Sequence, residues 1–578
     1  MPFITYNPTS FTTPAYEDAR SFAIWGVSWF TETDLSRLGP AAPAVVWMAP
    51  QTFNGGVRRS DHTGTTNLPT AVTSYIDKVK QFPKGRRVIM PQYWLDDTLG
   101  GNDRANSNYY KTLGQQMAAH GAAGTFINSP FQRLHQSVDF KTTWTKWVEL
   151  CETNDATFDY IIDDQEQWRL WALNSNQIIA DAGWTAPAWM TDKDARVPFS
   201  MINDARFENP LYGDPVTNQS MRELLVYYTN IARPSSPIAN TLSAVQTAYA
   251  DWNITVENPG ISPYTTSRNP LWYAWRRMIG RVHIRQRVEL VLKETIQKPW
   301  FTGFYSDYGV IGGEPWETPW LIRAQHYAEN YLAHPLCRGA PELYGYASNM
   351  PTVFGYHPTP TTDIQRYGFV RPADGGVLTN ALAGDAGRVM YSFMGDLAEA
   401  VETSRVNYRR DWAAWVGTPH WQYNPSFYRF DDRYAIELYY HLALLGCNPF
   451  CIFPGEGEIP EGENPYVLPS DILVEIKRIT DNGGLRPCDS TGNQYAPPDR
   501  YVLADCLTDK GIVTGGTIQH GPKKGLNVWR ITVPPHIIDG SGNSFINLPD
   551  GTKYQVGPTT RGAWYFGQTK PTVTITTS

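Results

Sequence analysis

The chain has 578 residues, 42% of them hydrophobic and 18% charged, a composition that supports large packed cores and excludes long disordered segments. Its formal net charge is −7 and no long basic run occurs, so the electrostatic footprint of a nucleic-acid binder is missing. There is no run of 18 apolar residues, and the start, Met1-Pro-Phe-Ile-Thr-Tyr-Asn-Pro8, lacks both a basic n-region and an apolar h-region, so neither a membrane span nor a Sec-type signal is expected.

The elements are read in chain order. Ser21–Phe30 is the first strand-like run, followed by a short segment from Thr31 to Gly39. Ala44–Pro50 is a second buried strand, residues 70–82 are helix-like, and Arg87–Trp94 is a third strand ending in Asp96-Asp97. A polar insertion at about 100–135 comes next. Asp139 then N-caps a helix with Phe140, Trp144, Trp147, Val148 and Cys151 on one face, which leads into the run Phe158-Asp-Tyr-Ile-Ile-Asp-Asp-Gln-Glu-Gln-Trp168. Residues 168–299 form a second, mostly helical excursion that includes 219–232 and Leu271–Gln297. Beyond it, strands near 300, 342, 412 and 449 alternate with helices at 320–333, 376–404, 431–445 and 469–482.

The count is eight strands separated by helical segments, the pattern of parallel βαβ units. The expected fold class is therefore α/β: a (β/α)8 TIM barrel over 1–484 with long βα-loop insertions. After Asn482-Gly-Gly484 the texture changes to short alternating runs, Arg500–Ala504, Gly511–Thr514, Leu526–Val533, Ala563–Phe566 and Val573–Thr576, between Gly, Pro, Asn and Asp clusters. This predicts a C-terminal all-β, sandwich-like domain over 485–578.

In a barrel of this kind the chemistry lies just past the carboxyl ends of the strands. Those positions carry Trp29 after the first strand, Gln92 and Trp94 after the third, and Asp164, Glu166 and Trp168 after the fourth. Tyr305 and Asp307 follow the fifth, Asn349 the sixth, His420 and Trp421 the seventh, and Glu456 the eighth. Carboxylates and amides bond hydroxyls while indoles stack on ring faces, so this mixture suits a neutral polyol. The 21 Trp and 33 Tyr fit such a groove, although a large core consumes aromatics too. No Gly-rich strand-to-helix loop for a phosphate or dinucleotide is present, and no G-x-S-x-G elbow. No cofactor is expected. Six cysteines, at 151, 337, 447, 451, 488 and 506, include no C-x-x-C, so no zinc site is expected; a Cys488–Cys506 bridge is left open.

Asp164 and Glu166 are two residues apart, which on an extended strand puts them on one side with Cα atoms about 6–7 Å apart. Repulsion between two such carboxylates holds a proton on one of them, giving an acid beside a base. Asp159-Tyr-Ile-Ile-Asp-Asp164-Gln-Glu166 resembles the fourth-strand D-x-x-D-x-D-x-E signature of chitinase-like glycoside hydrolases, and the shorter D-x-E of some muramidases, with Ile162 at the signature's middle Asp. The resemblance implies that Glu166 is the general acid and that Asp164 assists the substrate's acetamido group or the intermediate. Asp307 is the alternative partner, as nucleophile or base.

The expected activity is hydrolysis of a poly- or oligosaccharide, with carbohydrate as the partner and with no nucleic acid. The competing expectation is a non-catalytic carbohydrate-binding or structural protein on the same scaffold, associated with a virion or cell surface. Either reading favours an extracellular or virion-associated setting over the cytoplasm. Oligomeric state is left open. Glu437 and His441, at i and i+4 on one helix, are expected to form a local pair or a satisfied buried contact.

Overall fold

A computed structural model describes 201–249, 432–453, 467–481, 484–494 and most of 511–577. It also describes eight strands before position 454, residues 152–156, and single helical positions at 80 and within 271–282 and 393–404. Two compact units contain these residues. The first comprises 1–5, 47–314 and 325–337, and the second 6–46, 315–324 and 338–578.

The eight strands are β1 (Phe22–Ile24), β2 (Ala44–Met48), β3 (Arg87–Met90), β4 (Tyr160–Asp163), β5 (Trp300–Phe304), β6 (Cys337–Leu343), β7 (Trp412–Gly417) and β8 (Cys447–Phe453). Most are short runs of β-branched and aromatic residues, which pack well on a pleated surface. In the first unit β3, β4 and β5 are parallel neighbours, with Ile89 opposite Ile161 and Asp163 opposite Thr302. In the second unit the parallel order runs from Ala44–Val45 of β2 through β1, β8 and β7 to Glu342–Leu343 of β6, so the first strand of the chain pairs with the eighth. The sixth strand starts earlier than the run expected from Glu342. Arg338, Gly339 and Pro341 weaken its sequence signal, and pairing of Glu342 with Trp415 and of Leu343 with Val416 sets its place. Residues 344–349 lie outside the described residues.

The first unit also holds two helices, α1 (Met221–Ala232) and α2 (Leu242–Tyr249). A capping box starts α1: Ser220 Oγ accepts from Glu223 N at 3.2 Å, and Glu223 Oε2 accepts from Ser220 N at 2.9 Å. Met221, Leu224, Leu225 and Tyr228 then face a core shared with Phe207, Val245, Tyr249, Trp275 and Met278. Asn230 stitches the turn between the helices, accepting from Ile238 N at 2.7 Å and donating to Ile238 O at 3.1 Å.

In the second unit, α3 (Asp432–Leu444) precedes β8 and α4 (Val467–Thr480) follows it. From Tyr434 to Leu445 nearly every α3 residue is buried, as for a helix covered all round. Gly446, at φ +92°, ends it in the left-handed conformation that glycine adopts without a Cβ penalty. Two antiparallel sheets follow. One has the order β14 (Gly562–Phe566), β11 (Asn527–Thr532), β10 (Ile512–Ile518), β9 (Leu485–Pro487). The other has β13 (Lys553–Val556), β12 (Ser544–Asn547), β15 (Thr574–Thr577).

Side chains alternate across the first of these sheets. One face, with Val513, Trp529 and Ile531, shares a core with Ile546, Val556 and Ile575 of the other sheet. The opposite face, with Ile512, Ile518 and Val528, packs with α3 and α4 in a core that also holds Trp412, Val416 and Phe450 from β7 and β8. That core runs without a break across position 484. Gly515 stands opposite Trp529, where a Cβ would come within 2.3 Å of the indole, so the buried ring lies directly on glycine backbone. Cys488 is buried in this region, and Cys506 lies outside the described residues.

Candidate functional site

Glu166, Asp164, Asp307, Trp29, Gln92, Trp94, Trp168, Tyr305, Asn349, His420, Trp421 and Glu456 all lie outside the described residues. What is described is the set of strands that precede them in the chain. Asp163, the last residue of β4, immediately precedes Asp164 and is level with Thr302 of β5. On β7 and β8, Gly417 is level with Phe453, and both are last residues of their strands. Parallel neighbours lie about 4.8 Å apart, so Asp163 and Thr302, and Gly417 and Phe453, stand side by side.

The described residues hold two buried ionic clusters of their own. In the first unit, Asp214 is fully buried and accepts from Val216 N at 2.8 Å, Thr217 Oγ1 at 2.9 Å and Arg281 Nε at 2.8 Å. Arg281 also donates to Tyr228 Oη at 3.3 Å. The tight turn 214–219 is thereby tied to the helical segment around 281.

The second cluster joins α3 to the antiparallel sheet. Arg530 of β11 grips Glu437 of α3 with Nε to Oε2 at 2.8 Å and a terminal nitrogen to Oε1 at 2.5 Å; the two side chains are 7% and 2% exposed. The guanidinium lies 4.5 Å from the Tyr440 ring centroid and 5.0 Å from that of Trp564. Thr532 Oγ1 donates to Glu437 Oε2 at 2.5 Å. His441 is fully buried, with Nδ1 2.5 Å from Thr514 Oγ1 and Nε2 2.8 Å from Thr532 Oγ1.

One proton order satisfies this chain. The Thr532 hydrogen is given to Glu437, so Thr532 accepts from His441 Nε2–H. Nδ1 is then the acceptor for the Thr514 hydroxyl. Burial, and after it the nearby Arg530 charge, push the imidazole down to about 3, so the neutral ring is the resident form. Burial pushes the Tyr440 phenol up to about 12, with Arg530 opposing it.

Both clusters are closed by their own partners and sit under packed side chains, so they brace the fold and offer nothing to a substrate. Among the described residues no group of three or more His, Cys, Asp or Glu is placed to hold a metal ion. Glu437 and His441 do not bond each other; each reaches a partner on the sheet. Arg530, Thr514, Thr532, Asp214 and Arg281 were not singled out from sequence. The available signal was polar residues at buried positions of otherwise apolar elements, here an acid and an imidazole on α3 and threonines on β10 and β11.

No protein-family model matches the chain, and no curated protein matches it. No helix among the described residues is long and apolar enough to cross a membrane.

Proposed function

We propose that the chain is a glycoside hydrolase on a (β/α)8 barrel, in which Glu166 protonates the leaving oxygen of a poly- or oligosaccharide. The observation that carries this reading is the register of β4 against β5. With Asp163 opposite Thr302, Glu166 follows its reference residue by three positions and Asp307 follows its own by five. This supports the reading because the strands that precede the two acids in sequence are parallel neighbours, and paired-carboxylate hydrolysis needs two acids near each other. The parallel pairing of β1 with β8 supports the ring, because a doubly wound open sheet keeps its first strand among early neighbours.

On this reading Asp164 raises the proton affinity of Glu166 by like-charge repulsion. Either Asp164 works through the substrate's acetamido group, or Asp307 serves as nucleophile or water-activating base. Trp29, Trp94, Trp168 and Trp421 supply stacking faces, and Gln92, Tyr305, Asn349, His420 and Glu456 bond hydroxyls.

The test is release of reducing ends from a panel of polysaccharides, with retention of the same glycans followed by affinity electrophoresis. Glu166→Gln should lower the rate at least about 10²-fold, the lower bound for a general acid, while glycan retention persists. An undiminished rate in that variant overturns the assignment of the acid. Retention without product from the unaltered chain overturns the hydrolase reading in favour of a carbohydrate-binding protein.

A further inference from the structure

We propose that His441, Glu437, Thr514, Arg530 and Thr532 form an acid-released latch that holds the four-stranded antiparallel sheet on α3. It is independent of the proposed hydrolysis.

The joint is tight and polar at its centre. A Cβ on Gly516 of β10 would come within 3.0 Å of the Leu444 carbonyl oxygen of α3. One on Gly562 of β14 would come within 2.6 Å of Glu437 Oε2. Helix and sheet therefore meet almost at backbone contact around the cluster, with no room for water to reorganise inside it. Apolar contacts surround it on both sides, from Leu438 and Leu442 of α3 to Ile512 and Val528 of the sheet.

The groups facing His441 leave an added proton without compensation. From β10 and β11 come the Thr514 and Thr532 hydroxyls and the Arg530 cation. Phe393 stands edge-on at 5.8 Å. On α3, Glu437 is engaged by Arg530 and Thr532, and Tyr434 gives its hydroxyl to Val533 O at 2.9 Å beneath the Arg561 guanidinium. From α4, Glu475 is bound by Arg478 at 2.8 Å, and both act on Tyr440 and not on His441. Protonating Nδ1 turns it from acceptor to donor. The Thr514 hydrogen then loses its acceptor, and a second cation is placed beside Arg530 in a dry joint. Opening the joint returns the imidazole to water, where it takes the proton at its ordinary value of 6.5 rather than about 3.

The open form is therefore favoured about tenfold per pH unit between those limits, for one proton linked to opening. The experiment is amide exchange on the full chain from pH 7.5 to 4, corrected for the intrinsic pH dependence of the chemical rate. Exchange in β10, β11 and α3 should rise together by about tenfold per unit below pH 6, while α1 in the first unit stays flat; return to pH 7.5 should restore protection. His441→Gln keeps one donor and one acceptor without titrating, and its exchange should be flat over the same range. If this variant does not fold, the pH series on the unaltered chain still decides. Protection of β10 and β11 that persists to pH 4 overturns the latch. So does an equal slope in His441→Gln, which would move the response away from the imidazole, and so does simultaneous loss of protection in α1.

Discussion

Arg530→Met isolates the energetics of the joint between α3 and the antiparallel sheet. Methionine replaces most of the buried volume and removes only the guanidinium. The Glu437 carboxylate, 2% exposed, then keeps the Thr532 hydroxyl as its donor among the described residues. Breaking a buried ion pair from one side costs about 3–5 kcal/mol, because the remaining charge is neither solvated nor paired. Loss of the guanidinium from between Tyr440 and Trp564 acts in the same direction, by about 0.5–2 kcal/mol. The double variant Glu437→Leu/Arg530→Met should recover most of the loss, since an apolar pair of similar volume carries no desolvation cost. In it, Thr532 can turn its hydrogen to His441 Nε2, and Nδ1–H can donate to Thr514, so both threonines and both ring nitrogens stay bonded. The assay is urea unfolding read by amide exchange in β10 and β11, which reports this joint rather than an average over a chain of two units. A single-variant cost under about 1 kcal/mol would refute the reasoning, as would a double variant no more stable than Arg530→Met alone.

Gly562→Ala should weaken the same joint by about 1–3 kcal/mol, the range for overpacking, because its Cβ would sit 2.4 Å from Ile531 O and 2.6 Å from Glu437 Oε2. The same urea series measures it, and a cost indistinguishable from zero would show that the ion pair is not confined there. In the first unit, Ser220→Ala removes the side-chain half of the α1 capping box and should cost about 1 kcal/mol, seen as faster exchange in the first turn, 221–224. Unchanged exchange there would mean that packing of Leu224 and Leu225 alone sets the local stability.

Local periodicity made a good part of the second unit readable. The apolar stripe over 431–445 corresponds to α3 at Asp432–Leu444, and the segment 469–482 to α4 at Val467–Thr480. The alternating runs near 511, 526, 563 and 573 correspond to β10, β11, β14 and β15. Three strands left no such trace. β9 is three residues long and ends in Pro487, and β12 and β13 are four residues each with polar residues interspersed. Their extended conformation comes from pairing with neighbours, which a short sequence window does not contain. The acids expected at the site follow strands whose register is described, and that register is what links β4 to β5 across more than 130 positions of sequence.

By itself, then, the sequence located α3, α4, β10, β11, β14 and β15, because side-chain period and turn chemistry are local properties. It also placed Glu437 and His441 one helical turn apart on α3. The partners of both residues were decided only by the tertiary structure. Arg530 lies 93 positions from Glu437, and Thr514 and Thr532 lie 73 and 91 positions from His441. The physical reason is burial from two sides. On an exposed helix an acid and an imidazole at that spacing would meet each other across water. Here the sheet covers α3 and removes the water, and the two-residue period of β11 turns Arg530 and Thr532 to the face that receives them.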